Sequence, residues 1–201
     1  MFQDKLVVIT GGAGGIGKCI REEFEKAGAK VCIIDITDNS YFVGDIGDET
    51  TLRRFAEKVI AEHGRVGYLI NNAPPLFKGI NECTYEEFNY ALRVGVSSAF
   101  LLTQMFQPYF APGASIINIS SSRDRMSQPQ SESYAAAKGH FRPDPCAGGE
   151  PWRKGAGQFH LTRLDRHRLH GLRGTGRHSA ARRTGWHPAG YRQYGDVPVL
   201  R

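Results

Sequence analysis

The feature that most constrains this chain is a glycine-rich turn between an apolar strand and an amphipathic helix. Residues 10–17 read Thr-Gly-Gly-Ala-Gly-Gly-Ile-Gly and lie between the apolar run Lys5–Thr10 and the helical pattern Ile16–Ala27. Glycines let the backbone turn sharply and approach a pyrophosphate, which the positive end of the helix attracts. A plain flexible turn is the alternative. The strand before and the helix after favour a dinucleotide-binding loop.

Strand-like and helix-like patterns alternate after this turn. Parallel strands that are joined by helices require right-handed crossovers. The pattern therefore predicts the α/β class, with a Rossmann-like, doubly wound parallel sheet. The predicted strands are Lys30–Ile34, Tyr41–Val43, Tyr68–Ile70 and Ser115–Ile119, and the predicted helices are Thr50–His63 and Tyr85–Phe110.

An acidic residue closes the second predicted strand. Asp35 lies eighteen residues after Gly17, where a carboxylate can accept hydrogen bonds from both ribose hydroxyls of an adenosine and repels a 2′-phosphate. Neither Ile36 nor the glycine-rich turn supplies an arginine or lysine for such a phosphate. The sequence therefore favours NAD over NADP. A solvated aspartate at a strand end is the alternative.

A tyrosine and a lysine lie one helical turn apart in the segment Tyr134-Ala-Ala-Ala-Lys138. On one helix face, the ammonium favours the phenolate form of the tyrosine, as an acid–base group for a carbonyl or alcohol requires. An ordinary surface pair is the alternative. Ser121 lies 13 residues upstream at the end of a predicted strand, and this third group favours the catalytic interpretation.

In this combination and order, the motifs resemble those of the classical short-chain dehydrogenases/reductases over Lys5–Lys138. The resemblance implies that Tyr134 exchanges a proton with the substrate oxygen and that Ser121 hydrogen-bonds this oxygen. It implies that Lys138 favours the phenolate and holds the nicotinamide ribose. Asp45, Ile46 and Asn72 would line the adenosine side. The complete cofactor-binding set that it implies is Gly11, Gly15, Ile16, Gly17, Asp35, Asp45, Ile46, Asn72, Tyr134 and Lys138.

Two residues depart from the family pattern. Pro74 follows Asn71-Asn72-Ala73 where the family has glycine, and proline stiffens a loop that approaches the cofactor. Gly95 stands where the family's long helix has an asparagine that connects the lysine to a water relay. A glycine cannot make that side-chain hydrogen bond. The resemblance therefore implies an altered proton relay and leaves the hydride step unaffected.

The composition changes after Lys138. Residues 1–138 contain 14 Lys and Arg against 16 Asp and Glu, a net charge of −2, whereas residues 139–201 contain 12 against 4, a net charge of +8. Eleven of those twelve are arginines, six of the seven histidines fall there, and isoleucine is absent. The expected continuation of the helix is also interrupted by Pro143 and Pro145. We therefore divide the chain into a cofactor-binding and catalytic region, 1–138, and an aberrant, disordered tail, 139–201.

A shifted reading frame accounts for this tail. Moving the frame forward by one base lets the codons of Gly157–His167 encode Val-Asn-Ser-Ile-Ser-Pro-Gly-Trp-Ile-Asp-Thr, which resembles the family's sixth strand and Pro-Gly cofactor loop. The codons of Gly139–Gly149 and Thr184–Val199 permit family-like helices in the same frame. One extra base near the Lys138 codon is the simplest cause. A native disordered extension and an arginine-rich nucleic-acid-binding tail are the alternatives, but neither explains three hidden motifs.

The sequence thus predicts an NAD-dependent oxidoreductase that acts on a small-molecule alcohol or carbonyl, with its sheet truncated after the fifth strand. The alternative is a catalytically inactive, frameshifted product that at most binds nucleotide. We expect no metal site, nucleic-acid partner or membrane span. The four cysteines form no disulfide framework, and the start leaves no room for a signal peptide, so we expect a cytoplasmic protein. The resemblance implies a homodimer or homotetramer for the intact fold.

Overall fold

A parallel sheet flanked by helices forms the centre of the fold. The computed structural model describes residues 2–121, 129–139, 158–164 and 192–193. The strand order is β3-β2-β1-β4-β5-β6-β7, in which every pair is parallel except β6–β7. The described strands are β1 Leu6–Thr10, β2 Lys30–Asp35, β3 Phe42–Val43, β4 Val66–Asn71, β5 Phe110–Ser121, β6 Gln158–Leu164 and β7 Arg192–Gln193.

Side-chain caps set the first residues of two helices. The Asp48 carboxylate accepts a hydrogen bond from the N–H of Thr50 at the start of α2, and Thr84 and Glu87 form a capping box at the start of α3. A π-helical turn, Arg93–Ser97, joins α3 to α4. The described helices are α1 Gly15–Lys26, α2 Glu49–His63, α3 Tyr85–Leu92, α4 Ser98–Phe106 and α5 Glu132–Gly139.

The core occupies both faces of the sheet. Alternate residues of β1 point to opposite faces: Val8 packs in one cluster, with Phe55 of α2 and Phe106 of α4. Val7 and Ile9 pack in the other, with Ile20 and Phe24 of α1. Full burial of each such side chain stabilises the fold by about 1.5–3 kcal/mol. Because both faces are covered, β1, β2 and β4 read as nearly continuous apolar runs.

The sequence prediction of a Rossmann-like, doubly wound sheet is confirmed, since β1 lies centrally and the strand order reverses between β1 and β4. The predicted helix Tyr85–Phe110 ends earlier, at Phe106, and a 3₁₀ turn, Gln107–Tyr109, leads into β5. Pro108 supplies no N–H for an α-helical hydrogen bond.

The structure differs from the expected truncation at one edge of the sheet. The backbone of Gln158–Leu164 pairs in parallel with β5, so a sixth strand follows the five formed by residues 1–138. Strand pairing uses main-chain groups, and this segment contains no proline to interrupt them. The helix α5 is described as far as Gly139, and its predicted interruption at Pro143 and Pro145 falls outside the described residues. Residues 140–157, 165–191 and 194–201 lie outside the described residues, and predictions for them stay predictions.

Candidate active site

The glycine-rich turn between β1 and α1 forms a backbone cradle that excludes side chains. Gly11 and Gly15 adopt positive φ angles of 68° and 51°, a conformation that L side chains rarely accept. A Cβ on Gly17 would lie 1.9 Å from the carbonyl oxygen of Gly11. The backbone therefore requires glycine at these three positions.

The start of α1 is open to an anion. Gly14, its N-cap residue, has no side chain to accept the first N–H groups, and the first turn contains no acidic residue. The unpaired N–H groups and the helix dipole together give this end a partial positive charge. The described residues of this turn thus provide what a pyrophosphate needs.

Asn72 holds the glycine-rich turn in place. Its amide nitrogen donates to the carbonyl oxygens of Thr10 and Gly11 at 3.1 and 2.9 Å. The Thr10 hydroxyl oxygen in turn accepts from the N–H groups of Asn72 and Ala73 at 3.0 and 3.2 Å. The sequence predicted that Asn72 lines the adenosine side. The structure places it, buried, beneath the turn, and a contact with adenosine stays a prediction.

Asp35 faces the same turn from the end of β2. One carboxylate oxygen accepts from the N–H of Ala13 at 2.9 Å, and the other accepts from the N–H of Thr37 at 3.0 Å. Each oxygen retains a lone pair for a further donor. The neighbouring Ile36 is 72% exposed and offers an apolar surface beside the carboxylate. The structure thus brings together the turn and the acid that the sequence singled out.

Asp45 and Ile46 have structural contacts of their own. The Asp45 carboxylate accepts from the Tyr90 hydroxyl at 3.0 and 3.1 Å and from the N–H of Gly47 at 2.7 Å, which ties this loop to α3. Burial and then this hydrogen bond raise the pKa of Tyr90. Ile46 is buried in the core. Their predicted contact with the cofactor stays a prediction.

Tyr134 and Lys138 lie together on α5, beside the end of β5. The Lys138 ammonium is 5.8 Å from the centroid of the Tyr134 ring and donates to the carbonyl oxygen of Ile119 at 2.7 Å. Burial lowers the pKa of Lys138 to about 8. Ser121, half-buried, ends β5 two residues beyond Ile119. The lysine is therefore fixed to the strand that ends in the predicted serine.

A small cleft lies where the strand order reverses. Among the described residues, Oδ1 of Asn71 and Oγ of Ser120 are buried here without a hydrogen-bond partner. The sequence analysis missed these two residues, although both lie at carboxyl ends of strands, where ligands bind in such sheets. The residues that line the cleft are Thr10, Asn71, Ala73, Val94, Gly95, Ser98, Ala99, Asn118, Ile119, Ser120 and Lys138.

Gly95, in the π-helical turn, is packed against α5. A Cβ at this position would lie 2.7 Å from Cβ of Ala137 and 3.3 Å from Cβ and Cγ of Pro75. The glycine thus permits close contact with the helix that carries Tyr134 and Lys138. Pro74, the other departure from the family pattern, directly precedes Pro75. Both departures therefore lie close to this contact with α5.

Known proteins share this arrangement. The sequence model described as short chain dehydrogenase matches residues 5–142. An uncharacterized oxidoreductase of Thermotoga maritima is 30% identical over 158 residues, which cover 69% of this chain and 62% of that protein. This chain spans about three fifths of the length of such curated relatives.

Solved structures give the same result for the fold. An apo SCOR enzyme from Clostridium thermocellum matches with 38% identity and a TM-score of 0.63, over 68% of this chain and 62% of that one. A blue fluorescent protein from a metagenomic library, solved with NADPH, matches with 25% identity and a TM-score of 0.64, over 69% and 64% of the two chains.

Proposed function

This chain belongs to the short-chain dehydrogenase family, and from that premise we propose that its residues 1–138 are the cofactor-binding and catalytic region of an NAD-dependent oxidoreductase that acts on an alcohol or carbonyl compound. The observation that carries the proposal is the placement of the Lys138 ammonium, 5.8 Å from the Tyr134 ring centroid and bonded to the end of β5. A phenol beside a buried cation, next to a cleft at the strand reversal, is suited to proton exchange with a substrate oxygen.

The described residues fit a nicotinamide dinucleotide. A Cβ at Gly14 or Gly15 would meet no atom within 4 Å, so the start of α1 is open, and no side chain caps it. The pyrophosphate would bind there, and Asp35 would bind the adenosine ribose. When bound, the cofactor supplies the hydride acceptor or donor.

The choice of NAD over NADP rests on Asp35. Its two oxygens face the cradle, and residues 36–41 contain no arginine or lysine. A 2′-phosphate would therefore meet a carboxylate without a compensating cation, which disfavours its binding. A solved structure of similar fold contains NADPH. The preference for NAD therefore has to be measured in this chain.

Three residues would perform the reaction. Tyr134 would give its phenolic proton to a substrate carbonyl oxygen during reduction, or accept the alcohol proton during oxidation. Ser121 would donate a hydrogen bond to the same oxygen, and Lys138 would stabilise the phenolate and hold the nicotinamide ribose.

We further propose that residues 139–201 are translated in a shifted frame. The match to the family ends at residue 142, four residues after Lys138, where the charge and arginine content also change. The second candidate, a chain that binds nucleotide without turnover, would be the product of such a frame. The family's remaining segments would then be restored by deleting one base after the Lys138 codon.

The test compares the chain with its frame-restored version. We expect both to bind NADH by fluorescence titration, and the restored version to form NADH from NAD and a member of a panel of small alcohols and sugars. A Tyr134→Phe control should retain binding and lose turnover. Absence of NAD(H) binding in both versions would refute the proposed function.

A further inference from the structure

A buried serine next to Tyr134 joins α5 to a distant segment of the chain. Ser133 is 1% exposed, and its hydroxyl oxygen accepts from the N–H of Lys78 at 2.9 Å. The hydroxyl also lies 2.9 Å from the carbonyl oxygens of Leu76 and Lys78, to either of which it can donate its one proton. We call residues 76–80 the bracing segment.

Two more hydrogen bonds join the bracing segment to the first turn of α5. The N–H of Ser133 donates to the carbonyl oxygen of Lys78 at 3.3 Å. The N–H of Ile80 donates to the carboxylate of Glu132 at 3.1 Å. The residues on the α5 side immediately precede Tyr134, so these bonds fix the backbone from which its side chain extends.

Close packing accompanies these bonds. A Cβ on Gly79 would lie 2.6 Å from Cα of Gln130, just before α5. The ring of Phe77, on the same bracing segment, lies 5.6 Å from the ring of Tyr134, at an interplanar angle of 50°. The bracing segment therefore contacts both the backbone before Tyr134 and its aromatic ring.

The bracing segment is itself attached to α3. The Lys78 ammonium pairs with the carboxylate of Glu87. Glu87 also accepts from the N–H of Thr84 at 3.0 Å in the capping box of α3. Both side chains of this ion pair are about one third exposed, so the pair adds little to the attachment that the backbone hydrogen bonds provide.

We propose that Ser133 is the positioning residue for Tyr134, and that it acts by fastening the first turn of α5 to the bracing segment. Its hydroxyl and its N–H bond to the backbone of this segment one residue before Tyr134. The orientation of the phenol then depends on lateral contacts. Among the described residues, Ser133 bonds to backbone atoms of the bracing segment, so its effect is separable from the side chains of that segment.

This inference deepens the proposed function, so its test includes a measurement that does not depend on turnover. The full chain is labelled with 3-fluorotyrosine, and the Tyr134 fluorine resonance is assigned by its loss in Tyr134→Phe. Ser133→Ala is compared with Val59→Ala, which also loses a buried group, in α2 away from the site. Lys78→Met is the second control, because it removes the ion pair and keeps the backbone atoms that Ser133 contacts.

We expect Ser133→Ala to shift or broaden the Tyr134 resonance, and both controls to leave it within the line width of the wild type. In a version that turns over, kcat should fall by a factor of about 10–100 with KM for the cofactor unchanged, because a displacement of about 1 Å costs on the order of 100-fold in rate. If Ser133→Ala does not fold, Glu132→Ala, which removes only the outer bond to Ile80, should give a smaller shift.

A Tyr134 resonance in Ser133→Ala that matches Val59→Ala would overturn the positioning role. The same holds for Glu132→Ala where it replaces the serine variant. Failure of the proposed function has a different outcome: the resonance shifts as expected while no version of the protein turns over.

Discussion

Replacing Gly95 by alanine should push α5 away from the π-helical turn. The new Cβ would lie 2.7 Å from Cβ of Ala137, whereas carbon atoms in contact stay about 3.5–4.0 Å apart. The two backbones must therefore separate by about 1 Å. Pro75, whose Cβ and Cγ would lie at 3.3 Å, blocks relief by a sideways shift of the turn.

The size of the effect follows from this overlap. Overpacking of this kind costs about 1–3 kcal/mol of unfolding free energy. Because Tyr134 and Lys138 are on the displaced helix, turnover of the frame-restored protein should fall on the order of 100-fold. The loss should be in kcat rather than in KM for the cofactor, since the glycine-rich turn lies on another part of the site.

A double-variant cycle provides the assay. Ala137→Gly removes the atom that the new Cβ would meet, at a cost of about 1 kcal/mol for glycine within a helix. Combined with Gly95→Ala, it should recover about 1 kcal/mol or more relative to the sum of the single variants in denaturant unfolding. Strict additivity of the two unfolding free energies would refute the contact as the cause.

Two other variants test separate parts of the account. In the frame-restored protein, Asp35→Ala should narrow the preference for NAD over NADP, as measured by the ratio of the two kcat/KM values; an unchanged ratio would mean that another group reads the 2′-position. Lys138→Met should abolish turnover yet raise the unfolding free energy at pH 7 by about 1–3 kcal/mol, because burial holds the pKa of Lys138 at about 8, below its ordinary 10.5. The unfolded state then binds more protons than the folded state between these pH values, so wild-type stability should rise with pH across that window. The gap to Lys138→Met should therefore shrink from pH 8 to pH 10.5 in thermal or denaturant unfolding, and a gap that stays constant would contradict burial of the ammonium.

The sequence predicted the features that depend on residues close together along the chain. The runs at β1, β2 and β4 are apolar because both faces of these strands are covered. The turn has glycine at 11, 15 and 17, where a positive φ or close packing excludes a side chain. The pair Tyr134 and Lys138 follows from helical spacing. These features depend on neighbours within a few residues, so the linear pattern contains them.

Features that depend on distant backbone atoms could not be predicted. Ser133 gave no signal, because its partners lie 55 and 57 residues away and are main-chain groups. The anchoring role of Asn72 depends on the neighbouring strand β1, and the π-helical turn has no distinct spacing of apolar residues. The sixth strand was unexpected, since main-chain pairing with β5 does not require an apolar pattern.

The most direct test of the central claim is the formation of NADH by the frame-restored protein, with the unaltered chain measured beside it under the same conditions. The account predicts turnover of NAD with a small alcohol or sugar in the restored version and its loss in Tyr134→Phe, while the unaltered chain binds NADH without comparable turnover. Equal turnover in the two versions would contradict the frame assignment and make residues 139–201 a working part of the enzyme. Absence of both NAD(H) binding and turnover in both versions would contradict the assignment of this site to NAD-dependent hydride transfer.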